Sequence, residues 1–335
     1  MSHAHPRHAP RRRTARTLAC STSSPNGAAS GVTLLGINSP AGTVVNADHA
    51  IWHGPAESFL ETLPKEQLFD LVVTSPPYNI GKEYETRLEL AKYLEWQADV
   101  LGLIVPRLKA NASICWQVGN YVVNNEIFPL DIEMAPIFKS HGLRLRNRIV
   151  WKFGHGLHTK RRFSGRYEVV MWYTHTTDAT QPYTFNLDAV RVPSKYPSKR
   201  HFKGPRAGQL SGNPLGKNPE DVWEIPNVKS NHCEKTSHPC QFPVGLIERL
   251  VLALTNPGDL VYDPFAGVSS AGVAAAIHGR RFWGSEIRGD YVSVGVKRLE
   301  DALAGKAVYR PHDVPLYDHR QSSLSRNPNS EGASQ

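Results

Sequence analysis

The chain has no run of eighteen or more apolar residues, so it offers no helix able to cross a bilayer, and no membrane partner is expected. No apolar core follows the basic residues Arg11, Arg12 and Arg13, which argues against a secretory signal. Cysteine is scarce: Cys20, Cys115, Cys233 and Cys240 in 335 residues do not make a disulfide framework, in agreement with a reducing, cytoplasmic compartment. Acid is the other shortage. Asp+Glu number 30 against 39 Lys+Arg, a formal net charge of +9, and residues 1–30 and 191–217, both rich in Lys and Arg, contain no acid at all. An excess of that sign points toward a polyanionic partner such as nucleic acid.

What is present divides the chain into a folding middle and two polar ends. Residues 1 to about 30 carry Arg7, Arg11, Arg12, Arg13 and Arg16 and then a Ser/Pro/Gly/Ala tract, too little apolar surface to fold alone. A disordered basic arm is expected over 1–45 and a flexible tail over 311–335. Between them, Ile51-Trp52-His53-Gly54 reads as a strand, followed by a short helix from Pro55 through Leu63 and a second strand at Leu71 to Val73, together a βαβ unit. Apolar residues at helical spacing predict a long helix from Glu85 to Leu108, then a strand over Ser113 to Val118 and a helix over Leu130 to Lys139. Leu143 to Lys152 and Arg166 to Thr174 read as two more strands. Pro243 to Leu254 is a helix, Asp259 to Tyr262 a strand, Ser269 to His278 a small-residue helix, and Arg281 to Gly284 a strand running on to Ser285-Glu286. The pattern is α/β with a mostly parallel sheet and helices on both faces.

Two turns carry the chemistry. The buried-strand pattern of Leu71 to Val73 ends at Thr74-Ser75-Pro76-Pro77-Tyr78, where two prolines without N–H groups force the chain out of the sheet. Ser75, the Pro76 carbonyl and the Tyr78 ring then project where open α/β sheets bind ligands, suited to gripping a flat, amine-bearing group. The second turn, Asp263-Pro264-Phe265-Ala266-Gly267, leads from a strand into a helix, and the acid Glu286 ends the next strand. Gly267 permits close backbone approach, the helix start offers free N–H groups, and Glu286 is placed to hold ribose hydroxyls. This turn has neither Gly-x-Gly-x-x-Gly nor a Gly-Lys-Ser/Thr phosphate loop, which disfavours NAD and ATP.

Taken in order, Thr74 to Tyr78, His238-Pro239-x-Gln241-x-Pro243 and Asp263-Pro264-Phe265-x-Gly267 resemble the amino-methylating DNA methyltransferases that use S-adenosylmethionine. More narrowly they resemble the circularly permuted class, in which the catalytic motif precedes the cofactor motif, over about residues 50 to 300. The resemblance implies a Rossmann-like methyltransferase fold. It implies that Asp263, Pro264, Phe265 and Gly267 hold the methionine part of the cofactor, that Glu286 binds its ribose, and that Lys235, Thr236, His238, Pro239, Cys240 and Gln241 line its carboxylate end. Ser75, Pro76, Pro77 and Tyr78 become the catalytic group. Hydrogen bonds from an exocyclic amine to Ser75 and the Pro76 carbonyl favour a pyramidal nitrogen, and Tyr78 stacks on the extruded base. The family often has Gly-Ser-Gly-Thr where this chain has Gly267-Val268-Ser269-Ser270, which puts that loop's conformation in question. Ser at the first motif position is commoner among enzymes of the cytosine 4-amino group, so cytosine is favoured over the adenine 6-amino group.

The implied partner is double-stranded DNA, which makes the location nucleoid-associated. A cognate restriction endonuclease and a second copy of the chain are further candidates that the sequence leaves open. The catalytic domain is expected over 46–310, with 176–235 as an inserted target-recognition segment. Phosphate contacts are expected from Lys160, Arg161, Arg162, Arg191, Lys195, Lys199, Arg200 and Lys203. Pro239-Cys240-Gln241 superficially resembles the cysteine loop of enzymes that methylate carbon 5 of cytosine, but their Glu-Asn-Val motif is missing and the motif order is opposite. His232, Cys233, His238 and Cys240 match no paired-ligand spacing, so no metal is expected. Trp151, Trp172 and Trp223 read as core aromatics. A non-catalytic nucleic-acid-binding module and an RNA substrate are the remaining alternatives.

Overall fold

Strand alternation divides the core in two. In a computed structural model of the chain, which describes residues 21–22, 31–36, 47–79, 87–154, 156, 158–175 and 182–316, Leu71 and Val73 face one apolar cluster and Val72 the other. The elements in order are β1 (Ser21–Thr22), β2 (Thr33–Gly36), β3 (His49–His53), α1 (Ala56–Thr62), β4 (Phe69–Thr74), α2 (Leu90–Ile104), β5 (Leu108–Val118), β6 (Asn120–Val123), β7 (Glu126–Pro129), α3 (Leu130–Ser140), β8 (Arg144–Lys152) and β9 (Tyr167–Thr174). They continue as β10 (Val222–Glu224), α4 (Val244–Leu254), β11 (Leu260–Asp263), α5 (Ser270–Ile277), β12 (Arg281–Glu286), α6 (Gly289–Leu303) and β13 (Val308–Tyr309).

Among the described residues, nine strands form one sheet in the order β10-β8-β9-β5-β4-β11-β12-β3-β2. Only β9 runs against the others. Phe59 of α1, Tyr93 of α2 and Met134 of α3 belong to the cluster on one face, and Leu246 of α4, Ala271 of α5 and Leu299 of α6 to the cluster on the other. This is the Rossmann-like methyltransferase architecture expected. Its chain order has one consequence. From β4 the chain crosses to β5 on one side, whereas from β11 it crosses to β12 on the other, so the crevice between β4 and β11 is the topological switch point where α/β sheets bind ligands.

Several expectations need correction. The expected βαβ unit from β3 through α1 to β4 is present as two parallel strands of one sheet, but β11 and β12 are inserted between them, and β3 pairs with β12, His49 opposite Phe282. Sequence carries no direct signal for which strands become neighbours. The long helix stops at Ile104, since Pro106 cannot continue the hydrogen-bond ladder, and Leu108 opens β5; its expected start at Glu85 lies outside the described residues. Residues 33–36, assigned to a disordered arm, form the sheet's edge strand, with Leu35 buried in the core. Ser21 and Thr22 pair with Tyr309 and Val308, and the arginines of the basic arm lie outside the described residues. The C-terminal boundary shifts as well. His312 donates from its backbone N to Glu248 at 2.7 Å and accepts from Arg249 at 3.0 Å, which fastens the start of the supposed flexible tail to α4; residues 317–335 lie outside the described residues. Within 176–235, whose first residues are also outside the described set, β10 extends the main sheet and buries Trp223. Trp151 and Trp172 are buried too.

Candidate active site

Two strand ends meet at the switch point. At the end of β4 the Thr74 hydroxyl donates to Asp263 Oδ1 at the end of β11, over 2.5 Å, tying together residues 189 apart in sequence. The backbone N of Phe265 donates to the same oxygen at 3.0 Å, so the turn after β11 closes on its own first residue. Ala266 N donates to Ser285 O at 2.8 Å and Gly267 N to Glu286 Oε2 at 2.8 Å, which fixes the turn against the end of β12. The other Glu286 oxygen accepts from Arg288 N at 2.9 Å. Gly267 has φ +52°, a left-handed conformation that favours glycine, and a side chain there would come within 3.4 Å of the His238 ring. Ser269 adopts φ 56°, at the position where the family often has its second glycine. The backbone demand survives the substitution, and the buried Ser269 hydroxyl has no hydrogen-bond partner among the described residues.

These turns enclose a cavity of about 420 Å³. Ser75, Pro76, Pro77 and Tyr78 line it from one side, and Asp263, Pro264, Phe265, Gly267 and Glu286 from the other. His238 completes the wall with Cys240 and Gln241. The remaining residues expected at the carboxylate end do not line the cavity: Lys235 donates to the His238 carbonyl, Thr236 donates to Gln241 Oε1 from both its N and its hydroxyl, and Pro239 is exposed. Lys235 and Thr236 therefore brace the loop that presents His238. Sequence reasoning missed Tyr93 and Trp96, which stand one turn apart on α2 and face the cavity. Phe265 packs on Trp96 with ring centroids 5.3 Å apart, and Trp96 Nε1 donates to Glu57 at 2.5 Å. An aromatic pair at i, i+3 was the available signal. Tyr291 on α6 was also missed, and its ring lies 4.6 Å from that of His238.

The cavity is acidic at its base. Burial raises the Asp263 carboxyl to about 7, and the nearby Glu286 carboxylate pushes in the same direction; Glu286 is itself raised by burial. Two desolvated carboxylates beside flat aromatic faces suit a ligand with positive charge, vicinal hydroxyls and a planar base. S-Adenosylmethionine has all three, and the residues present fit it.

The basic residues stand elsewhere. Lys160, Arg161 and Arg162 are exposed in the segment between β8 and β9, which leaves the sheet at the same end as the cavity because β8 runs parallel to β4; His155 and Leu157 in that loop lie outside the described residues. Lys195, Lys199, Arg200 and Lys203 are exposed on the 191–217 excursion, which is closed at its base by Val192 pairing with Lys217. Arg191 differs from them: its guanidinium binds Asp188 at 2.6 Å and the Gly216 carbonyl at 3.0 Å, a brace at the root of the excursion. Among the described residues no group of three or more His, Cys, Asp or Glu could hold a metal, and no helix is long and apolar enough to cross a membrane. Cys115 and Cys240 are free thiols, whereas Cys233 is disulfide-bonded, a single bond rather than a framework.

A doubly wound sheet with an acidic, aromatic cavity at its switch point defines a nucleoside-cofactor enzyme of the methyltransferase class. Comparison with known proteins makes this specific. Residues 69–297 match the DNA methylase family of N6 and N4 amino-methyltransferases, and the chain belongs to that family. It is 46% identical over 250 residues to the type II methyltransferase M.BglII of Bacillus subtilis, covering 74% of this chain and 68% of that protein. It is 34% identical over 263 residues to the DNA adenine methyltransferase YhdJ of Escherichia coli K12, covering 77% and 84%. Among solved structures the PvuII cytosine-N4-specific DNA methyltransferase shares the fold, with a TM-score of 0.59 at 20% identity over 76% of this chain and 90% of that one. A Thermus thermophilus protein solved with S-adenosyl-L-methionine gives a TM-score of 0.54 at 24% identity over 76% and 96%. The protein is an S-adenosylmethionine-dependent DNA methyltransferase.

Proposed function

We propose that the enzyme methylates the 4-amino group of cytosine at a specific site in duplex DNA after extruding the base. The observation that carries this reading is the shared cavity: the Ser75 to Tyr78 turn and the Asp263 to Gly267 turn face each other across it, held by the Thr74 to Asp263 hydrogen bond. Bound S-adenosylmethionine supplies an electrophilic methyl group on a sulfonium sulfur. Asp263, Phe265, Gly267 and Glu286 hold the cofactor, with the acids facing its positive charge and ribose, and His238 closes the site. The target amine has its lone pair delocalised into the ring. Ser75 Oγ and the Pro76 carbonyl accept its two N–H bonds and draw the nitrogen toward a pyramidal geometry, while the Tyr78 ring supports the base. Lys160 to Arg162 and the lysines and arginines of the 191–217 excursion contact phosphates, within a recognition segment of about 176–235 inserted in a catalytic domain of about 46–310.

Serine at the first motif position supports cytosine. A second reading, the 6-amino group of adenine, draws support from the 34% identical Escherichia coli adenine methyltransferase. Because M.BglII is a type II methyltransferase, a restriction endonuclease of the same specificity is the protein partner this reading favours. Sequencing modified bases in DNA from a host that expresses the protein tests all of this together. N4-methylcytosine at one short sequence is expected, N6-methyladenine selects the second reading, and unmodified DNA overturns both.

A further inference from the structure

From the catalytic turn a chain of hydrogen bonds runs away from the cavity. The Tyr78 hydroxyl lies 3.1 Å from Ser75 Oγ, 2.5 Å from Gln117 Oε1 and 3.1 Å from Glu168 Oε2, and Gln117 Nε2 donates to that same Glu168 oxygen at 2.6 Å. Gln117 stands on β5 and is buried, and Glu168 stands on the adjacent β9, ninety residues from Tyr78. Neither residue lines the cavity.

The chemistry of the partners sets the direction of the chain. An ionised Glu168 can only accept, and so can Gln117 Oε1. The single Tyr78 proton therefore points inward, and the Tyr78 oxygen accepts from Ser75. Ser75 in turn directs its only proton toward Tyr78 and leaves its lone pairs facing the cavity, where the target amine must donate. A neutral group at Glu168 would permit the reverse order, with the Ser75 proton aimed at the amine.

We propose that Glu168 is a positioning residue that fixes this polarity and receives, through Tyr78 and Ser75, the proton that the methylated amine releases. The inference rests on the proposed reading that Ser75 meets the target amine. Once nitrogen has formed its bond to the methyl carbon it carries one proton too many. One N–H bond breaks and leaves its electron pair on nitrogen. That proton binds Ser75 Oγ, the Ser75 proton passes to the Tyr78 oxygen, and the Tyr78 proton passes to Glu168 Oε2. The products are a neutral methylamine and a neutral glutamic acid, which returns its proton to solvent between turnovers. Burial raises the Glu168 carboxyl above the usual carboxylate range, which makes it a better acceptor; the ionisable groups that act on it are Tyr78 from the turn after β4 and Lys229 from the segment after β10.

The test is Glu168→Gln in the full chain, assayed by single-turnover transfer of a tritiated methyl group to duplex DNA between about pH 5 and 9, with calorimetric affinities for S-adenosylmethionine and DNA. The rate at neutral pH is expected to fall about a hundredfold while both affinities stay within about twofold, and the limb over which the wild-type rate rises with pH is lost. Tyr78→Phe keeps the ring but cuts the chain; it should lose the same limb, and the double variant should be little worse than either single one. An unchanged rate, a loss that keeps the wild-type pH limb, or losses that multiply in the double variant would overturn the proposal. If Glu168→Gln does not fold, Tyr78→Phe decides alone by whether its pH limb survives. A wild-type protein that methylates no DNA defeats the underlying reading instead, whereas active wild type with unmoved variants defeats only the relay.

Discussion

Replacing Asp263 by Asn should stabilise the cofactor-free protein at alkaline pH while weakening cofactor binding. Asp263 is 3% exposed, and burial lifts its carboxyl from an ordinary 3.8 to about 7. A carboxyl whose folded value is raised contributes its full stability below the unfolded value, and that contribution is lost as pH climbs from about 3.8 through about 7. At about 1.4 kcal/mol per tenfold, the gap corresponds to an upper limit of about 4 kcal/mol in the alkaline range. About 1 to 2 kcal/mol has already gone by pH 5, so the stability advantage of Asp263→Asn should widen by about 2 to 3 kcal/mol between pH 5 and 8. The amide retains an oxygen to accept from Thr74 and from Phe265 N, which keeps the turn closed. Urea unfolding of both proteins without cofactor, at pH 5 and pH 8, reads the difference directly. A gap that does not grow with pH, or a variant less stable at pH 8, would refute the argument that a desolvated carboxylate sits at the base of this cavity. Calorimetry should show the opposite ranking for S-adenosylmethionine, with wild-type affinity rising as Asp263 ionises through about pH 7.

Gly119→Ala should damage turnover with little effect on cofactor affinity, because the new methyl group would lie 3.2 Å from Tyr78 Cε2 and displace the ring, an overpacking cost of about 1 to 3 kcal/mol; unchanged single-turnover rates would contradict it. Ser269→Gly should raise stability by about 1 to 2 kcal/mol in denaturant titrations, since it relieves a left-handed non-glycine residue and removes a buried hydroxyl that has no partner among the described residues. A loss of stability there would mean that the hydroxyl has a partner in solution. Reversing Lys199 and Arg200 to Glu should weaken DNA binding and flatten its salt dependence by about two phosphate contacts, while affinity for S-adenosylmethionine stays unchanged. Equal loss of both affinities would remove the excursion from the DNA surface.

Short-range chemistry made much of the site legible in the sequence. The Ser75-Pro76-Pro77-Tyr78 turn and the Asp263 to Gly267 turn follow from proline, glycine and the apolar runs before them, and both line the cavity. What brings them together is strand order, which depends on pairings such as Val261 with Leu71 that no local pattern encodes. The same reason hides from the sequence that β11 and β12 are inserted between β3 and β4. Residues that act from neighbouring strands were invisible for want of register: Gln117 and Glu168 are ordinary polar positions until β5 and β9 pair. Strand β10 has three residues in a charged, proline-containing segment, too short for alternation to show. Helix α6 was readable, since its buried Tyr291, Val292, Gly295, Leu299 and Ala302 keep helical spacing, and with it would have come Tyr291 beside His238.

The central claim is that two distant turns form one cavity in which a methyl group meets an exocyclic amine. Incubating the purified protein with duplex DNA and S-adenosylmethionine tritiated in the methyl group, then resolving the digested nucleosides, tests it most directly. The label should appear in N4-methylcytosine. Label in 5-methylcytosine, or DNA that remains unlabelled while the protein binds the cofactor, would contradict the account.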